Sequence, residues 1–219
     1  SITSGFGAID NGASAITTTG AVSGGSAILS GSTSGAITLA VPAEAGTHTV
    51  TFPALTGTVL TSVTAGTILQ VVSATKTDTF STATVDSFVD ITGMSVAITP
   101  SATSSKILVL YDVQMSANEI FFMQLVRAST AIKVGDSDSA NRVETTVGGT
   151  FQPSNNDKVI AIAGNFLDAP STTDATTYKL QGRVYSASKS FSVNRTINDT
   201  NAGYSGRGAS TITVMEVAG

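Results

Sequence analysis

The chain has 219 residues, with 11 Lys and Arg against 15 Asp and Glu, a formal net charge of −4, which fits one or two domains. A pI near 4.8 offers no electrostatic footprint for nucleic acid or an anionic membrane, and no apolar run reaches the length of a transmembrane helix. Neither nucleic-acid binding nor membrane insertion is therefore expected. Cys is absent, so disulfides and thiolate metal sites are excluded, and one histidine, His48, cannot build a multi-histidine metal centre.

From Ser1 to Gly66 the only full charges are Asp10 and Glu44. Residues 12–31 carry short apolar beats, Ile16, Val22 and Ile28-Leu29, between glycines; composition alone also fits a flexible linker. The stretch Gly35–Thr61 reads as two strands around a turn. Ile37, Leu39 and Val41 alternate, Pro42 to Gly46 breaks the run, and His48, Val50 and Phe52 alternate again. On that alternating strand His48 reads as a core or subunit-interface residue. Large apolar side chains are too sparse here to close a core alone, and thin Ser/Thr/Gly/Ala strands leave unpaired edges. Other copies of the chain are expected to supply both, which makes residues 1–66 an extended, intertwined β shaft ending at a joint, Ala65-Gly66.

From Thr67 onward charges occur at ordinary density and strand patterns strengthen. Strands are predicted at 68–74, 87–91, 95–99, 106–115, 121–127, 131–134, 158–167, 177–186, 191–195 and 210–217. Turns are expected at Thr92-Gly93, 100–105, 153–157, 170–175 and 198–208. Alternation is clear in Thr177 to Gln181 and in Thr211 to Val217. The continuous apolar runs Lys106 to Tyr111 and Val159 to Ile162 predict central strands covered on both faces. In a trimer, the second covered face would be a subunit interface. The reading is an all-β fold: a β shaft followed by an antiparallel, jelly-roll-like β-sandwich head over residues 67–219.

The phrases SFVDITGMSVAITPSATSSKILVLYDVQM (87–115), FFMQLVR (121–127), FLDAPSTTDATTYKLQ (166–181), FSVNRT (191–196) and STITVMEV (210–217) resemble the C-terminal domains of tailed-bacteriophage tail fibres and related virion fibre proteins. The upstream stretches 5–25 and 41–60 resemble the low-complexity shafts that precede such domains. A strand ending almost at the C-terminus is also similar to the trimeric jelly rolls of the tumour-necrosis-factor and complement-head type. The first likeness implies a virion-surface protein whose partners are other virion structural proteins and a host cell-surface glycan or protein. The second implies a homotrimer.

No catalytic signature accompanies these phrases, and neither an enzyme activity nor a cofactor is expected. Gly135 to Asn141 echoes a calcium loop but lacks the glycine and the distal Glu at the required offsets, so a solvated turn is the better reading. Asp86 with Asp90, and Asp112 with Glu119, are carboxylate pairs in sequence only; glycoside hydrolysis needs a defined spatial separation. Recognition is instead expected on three polar loops carried by the head. They are Gly135–Arg142 (Asp136, Asp138, Asn141, Arg142), Gln152–Asp157 (Asn155, Asn156, Asp157) and Asn198–Arg207 (Asp199, Asn201, Tyr204, Arg207). Tyr stacks on sugar faces while Asn, Asp and Arg bond hydroxyl groups, so a surface glycan is the preferred ligand. The competing readings are a capsid-decorating fibre or extracellular filament subunit without a receptor, and a glycan depolymerase.

Overall fold

The computed structural model describes residues 26–30, 36–40, 64–136, 141–150 and 156–219. Among them there is no helix, and every strand pairing is antiparallel. The chain divides into two compact units, Ser1–Val59 and Leu60–Gly219. In the first, β1 (Ser26–Ser30) pairs with β2 (Ala36–Ala40), Ser26 opposite Ala40. Ile37 and Leu39 thus lie in a strand, as their alternation predicts. The partner of that strand among the described residues is the upstream Ile28-Leu29 beat. The turn at 42–46, His48 and the strand expected after it lie outside the described residues.

The second unit runs β3 (Ile68–Lys76), β4 (Phe80–Thr82), β5 (Val89–Ile98), β6 (Lys106–Ala117), β7 (Ile120–Arg127), β8 (Thr130–Ile132), β9 (Val147–Thr150), β10 (Ile160–Asp168), β11 (Thr176–Val184), β12 (Phe191–Val193) and β13 (Ser210–Val217). One sheet has the order β10-β6-β13-β3, with β12 joining the last residues of β6 and carrying β4. The other has the order β5-β11-β7, with β8 and β9 both on β7. Alternation decides what lies between them. Ile107, Val109, Tyr111, Val113 and Met115 of β6, with Ile212 and Val214 of β13, meet Met123 and Leu125 of β7, Tyr178 and Leu180 of β11 and Met94 and Val96 of β5 in one buried core.

The Thr92-Gly93 turn signal falls inside a strand. Ser95 faces Lys179 and Asp90 faces Gln181, so Ile91 to Met94 bulge opposite the single Leu180. Gly93 takes φ +86°, which an L side chain resists, and the Lys76 stem lies over it. The two strands expected at 87–91 and 95–99 are therefore one. Two short strands, β4 and β9, escaped prediction because three or four residues of Phe-Ser-Thr or Val-Gly-Gly-Thr carry no readable period. The β6 run is central, between β10 and β13, as expected. The Val159 to Ile162 run is not: among the described residues β10 pairs only with β6, and Ile160 is 41% exposed. Gly66 belongs to this unit, its N–H donating to Ala218 O at 2.8 Å while Ala218 N–H donates to Thr67 O.

Two buried polar clusters fasten the sandwich. Arg127 of β7 donates through Nη1 to both Asp168 carboxylate oxygens at 2.9 Å, and the buried Tyr178 hydroxyl donates to Asp168 Oδ2 at 2.6 Å. One carboxylate of β10 thereby ties the first sheet to two strands of the second. Burial, then the Asp168 bond, raises the Tyr178 pKa, so the phenol keeps its proton. At the other cluster the buried Glu216 accepts from Ser101 N and Ser101 Oγ at 2.6 Å and from Gln70 Nε2 at 2.7 Å. Burial alone would raise its pKa. The bonds from Ser101, Gln70 and Ser105 outweigh that and hold it at about 2. The charge closes the Pro100–Ser105 turn onto β3 and β13.

Candidate functional site

Three surfaces of the second unit can meet a partner, and each follows from strand alternation or from a loop that the core positions. The outward face of the β10-β6-β13-β3 sheet carries an apolar row. Val71 faces Met215, Met215 faces Leu108, and Leu108 faces Leu167. Val71 is 55% exposed and Leu167 49%. The next row, Ser73, Thr213, Leu110 and Asn165, is polar except for Leu110, and its Ser73 and Thr213 hydroxyls bond at 2.8 Å. Beside it a shallow depression of about 390 Å³ opens over Leu110, Asp112, Ala163, Asn165, Thr211 and Thr213.

The second surface joins two of the three predicted loops. Its base is built around Asn194, which is fully buried at φ +61° and donates through Nδ2 to Lys76 O and Asp78 O at 2.8 and 3.0 Å. Ser210 Oγ donates to Asn194 Oδ1 at 2.6 Å, and Ser116 Oγ to Arg195 O at 2.8 Å. From this base the chain rises to Asn198, whose N–H donates to Asn156 O and whose Nδ2 donates to Asp157 Oδ1 at 2.9 Å. Asp199 organises the loop: it receives Arg207 at 2.7 Å and lies 3.4 Å from Arg195. A cleft of about 350 Å³ results, lined by Asp199, Thr200, Asn201, Ala202, Ser205 and Arg207. Ser205 Oγ, within the cleft lining, and Asn156 Oδ1 are buried without a hydrogen-bond partner.

Of the residues proposed from sequence, Asn156, Asp157, Asp199, Asn201 and Arg207 are thus brought together. Tyr204 sits on the same loop, 64% exposed, and does not line the cleft. Asp199 serves as a brace for two arginines. Asp138 and Asn155 lie outside the described residues. Asp136 is exposed, and Asn141 and Arg142 line a different cleft.

That third surface was not foreseen. Asn141, Arg142, Val143 and Glu144 close a cleft of about 520 Å³ with Asp86, Phe88, Arg183 and Tyr185. Arg183 of β11 faces Phe122 of β7, and Phe88 lies one residue before Val89, the partner of Gly182. The guanidinium stands 5.3 Å from the Phe88 ring and 5.1 Å from the Phe122 ring. The alternation beginning at Thr177, continued, puts Lys179, Gln181, Arg183 and Tyr185 on one face, and this was the signal available in sequence. The adjoining row is a polar ladder: Gln124 Nε2 donates to Gln181 Oε1, and Gln181 Nε2 and Lys179 Nζ donate to Asp90. The Lys179 bond, then that of Gln181, holds the Asp90 carboxyl below its usual range. Asp90 is committed to this ladder while Asp86 lines the cleft. Asp112 accepts from Gln114 and Glu119 from Ser186 Oγ. These pairs close on separate partners. Among the described residues no three Asp, Glu, His or Cys side chains converge on a metal position.

No protein-family model and no curated protein matches this chain.

Proposed function

We propose that this chain is a non-enzymatic, homotrimeric virion fibre protein, with the N-terminal unit, residues 1–59, as shaft and the second unit as a jelly-roll head that attaches to a host-surface glycan. The observation that carries the reading is the apolar row Val71, Met215, Leu108 and Leu167, which crosses four strands on an outward sheet face. A row of that kind fits a face covered by further copies of the chain. The strand order β10-β6-β13-β3 facing β5-β11-β7-β9 supports the jelly-roll head. The loops 156–157 and 198–207, joined through Asn198, with a polar cleft within the second and its base fixed by Asn194, support attachment through loops on a rigid scaffold. Three weak sites on one particle would gain affinity through effective concentration.

Light scattering of the intact protein at micromolar concentration should give three times the 22.0 kDa of the chain; a stable monomer would refute the assembly. Changing Tyr204 and Arg207 to Ala should weaken host-cell adsorption while trimer formation and Tm stay nearly unchanged. Unaltered adsorption after replacement of both joined loops would remove them from attachment.

A further inference from the structure

We propose that the cleft between Arg183 and Tyr185 is a binding site for a carboxylate-bearing saccharide, separate from the 198–207 loop; it names a ligand class for the glycan attachment proposed above. Arg183 carries the inference. Its guanidinium lies between the Phe88 and Phe122 rings, its Nε is buried with no hydrogen-bond partner, and among the described residues no carboxylate pairs with it. Elsewhere on the head Arg127 is paired with Asp168, Lys179 with Asp90 and Arg207 with Asp199. Two rings about 5 Å from the guanidinium carbon exclude water beside it, and the Nη donors of a guanidinium form a fork that matches a carboxylate in two parallel bonds.

The rest of the cleft supplies what a pyranose needs. Tyr185 is 58% exposed, and with Phe88 it presents aromatic surface for the C–H face of a sugar ring. Asp86 and Glu144 line the same cleft, unpaired with Arg183, as acceptors for hydroxyl protons, and Asn141 adds a donor and an acceptor. A neutral sugar would satisfy the aromatic surface and the acceptors but leave the Arg183 fork unmatched. The apolar row on the other sheet has no such set, so the two sheets present chemically different faces: one suited to copies of the chain and one to a polar ligand.

The test is binding of the intact native protein to immobilised oligosaccharides carrying uronic or nonulosonic acids, each beside its carboxyl-reduced, neutral counterpart. At least one acidic glycan should bind about tenfold or more tightly than its reduced partner. Tyr185→Ala and Arg183→Lys should each lower that binding by about tenfold, Arg183→Lys because charge survives but the planar fork does not. Tyr185 is exposed, so its variant keeps the fold. Tyr204→Ala with Arg207→Ala should leave this binding unchanged. No acidic glycan bound, equal binding of the reduced forms, or binding intact in both Tyr185→Ala and Arg183→Lys would overturn the site. Acidic-glycan binding that persists while host adsorption ignores both sets of variants would overturn host attachment and leave the site standing.

Discussion

Replacing Glu216 by Gln isolates one buried charge whose worth follows from its surroundings. The carboxylate is 1% exposed and accepts two bonds from Ser101 and one from Gln70. Its folded pKa of about 2 stands against 4.5 for the free group. At about 1.4 kcal/mol per pH unit, that separation corresponds to about 3 kcal/mol of stability. Because the folded value is depressed, the contribution is complete above pH 4.5 and is lost as pH falls through about 2. Gln keeps the shape but turns an amide donor toward the Ser101 N–H. Urea unfolding followed by far-UV circular dichroism should therefore separate the two proteins by about 3 kcal/mol at pH 7 and by about half that at pH 3. Near pH 2 the difference should fall below about 0.5 kcal/mol. In a chain of this length the pH 7 difference amounts to about 6–12 °C in Tm. A gap that stays constant from pH 7 to pH 3, or one under about 0.5 kcal/mol at pH 7, would show that the bonds to Glu216 do not depend on its charge.

Tyr178→Phe removes the donor that Asp168 receives in the core and should cost about 1–3 kcal/mol, read as a lower urea midpoint with unchanged m. An unshifted midpoint would mean that Arg127 alone satisfies the carboxylate. Val71→Lys and Leu167→Lys alter side chains that are about half exposed in the single chain, so each should move head stability by no more than about 0.5 kcal/mol. Together they should abolish the trimer in light scattering, and a trimer that survives both removes the apolar row from the interface.

The long strands of the head, β3, β5, β6, β7, β10, β11 and β13, were legible because each runs over eight or more residues. Thr211 to Val217 reads outward-inward in the chain as it lies in β13, and Lys106 to Tyr111 reads as the central strand that β6 is, although among the described residues only its inward face is buried and Leu108 and Leu110 stand half-buried on the other. The place of β10, which among the described residues pairs only with β6, was not legible. A run such as Val159 to Ile162 has the same composition whether a second partner stands beside it or not, and sheet order is set by pairings far apart in sequence. The bulge at Ile91 to Met94 was hidden for a related reason: glycine at positive φ serves a turn and a bulge alike.

For the candidate sites, sequence alone pointed to the loops, since polar residues between strands with no apolar period favour the surface; of the three, only 198–207 lies wholly among the described residues. It also determined that thiol chemistry and multi-histidine metal sites are out of reach. Tertiary structure decided which loops meet. Asp157 and Asn198 are 41 residues apart yet share a hydrogen bond, and the loop carrying Asn141 and Arg142 turns instead toward Arg183. It decided as well that Arg183 stands between Phe88 and Phe122, residues from three different strands or their flanks. Alternation fixes which face of its own strand a side chain takes. Only the register between strands fixes its neighbours, and it is neighbours that make a charge buried, paired or free to bind.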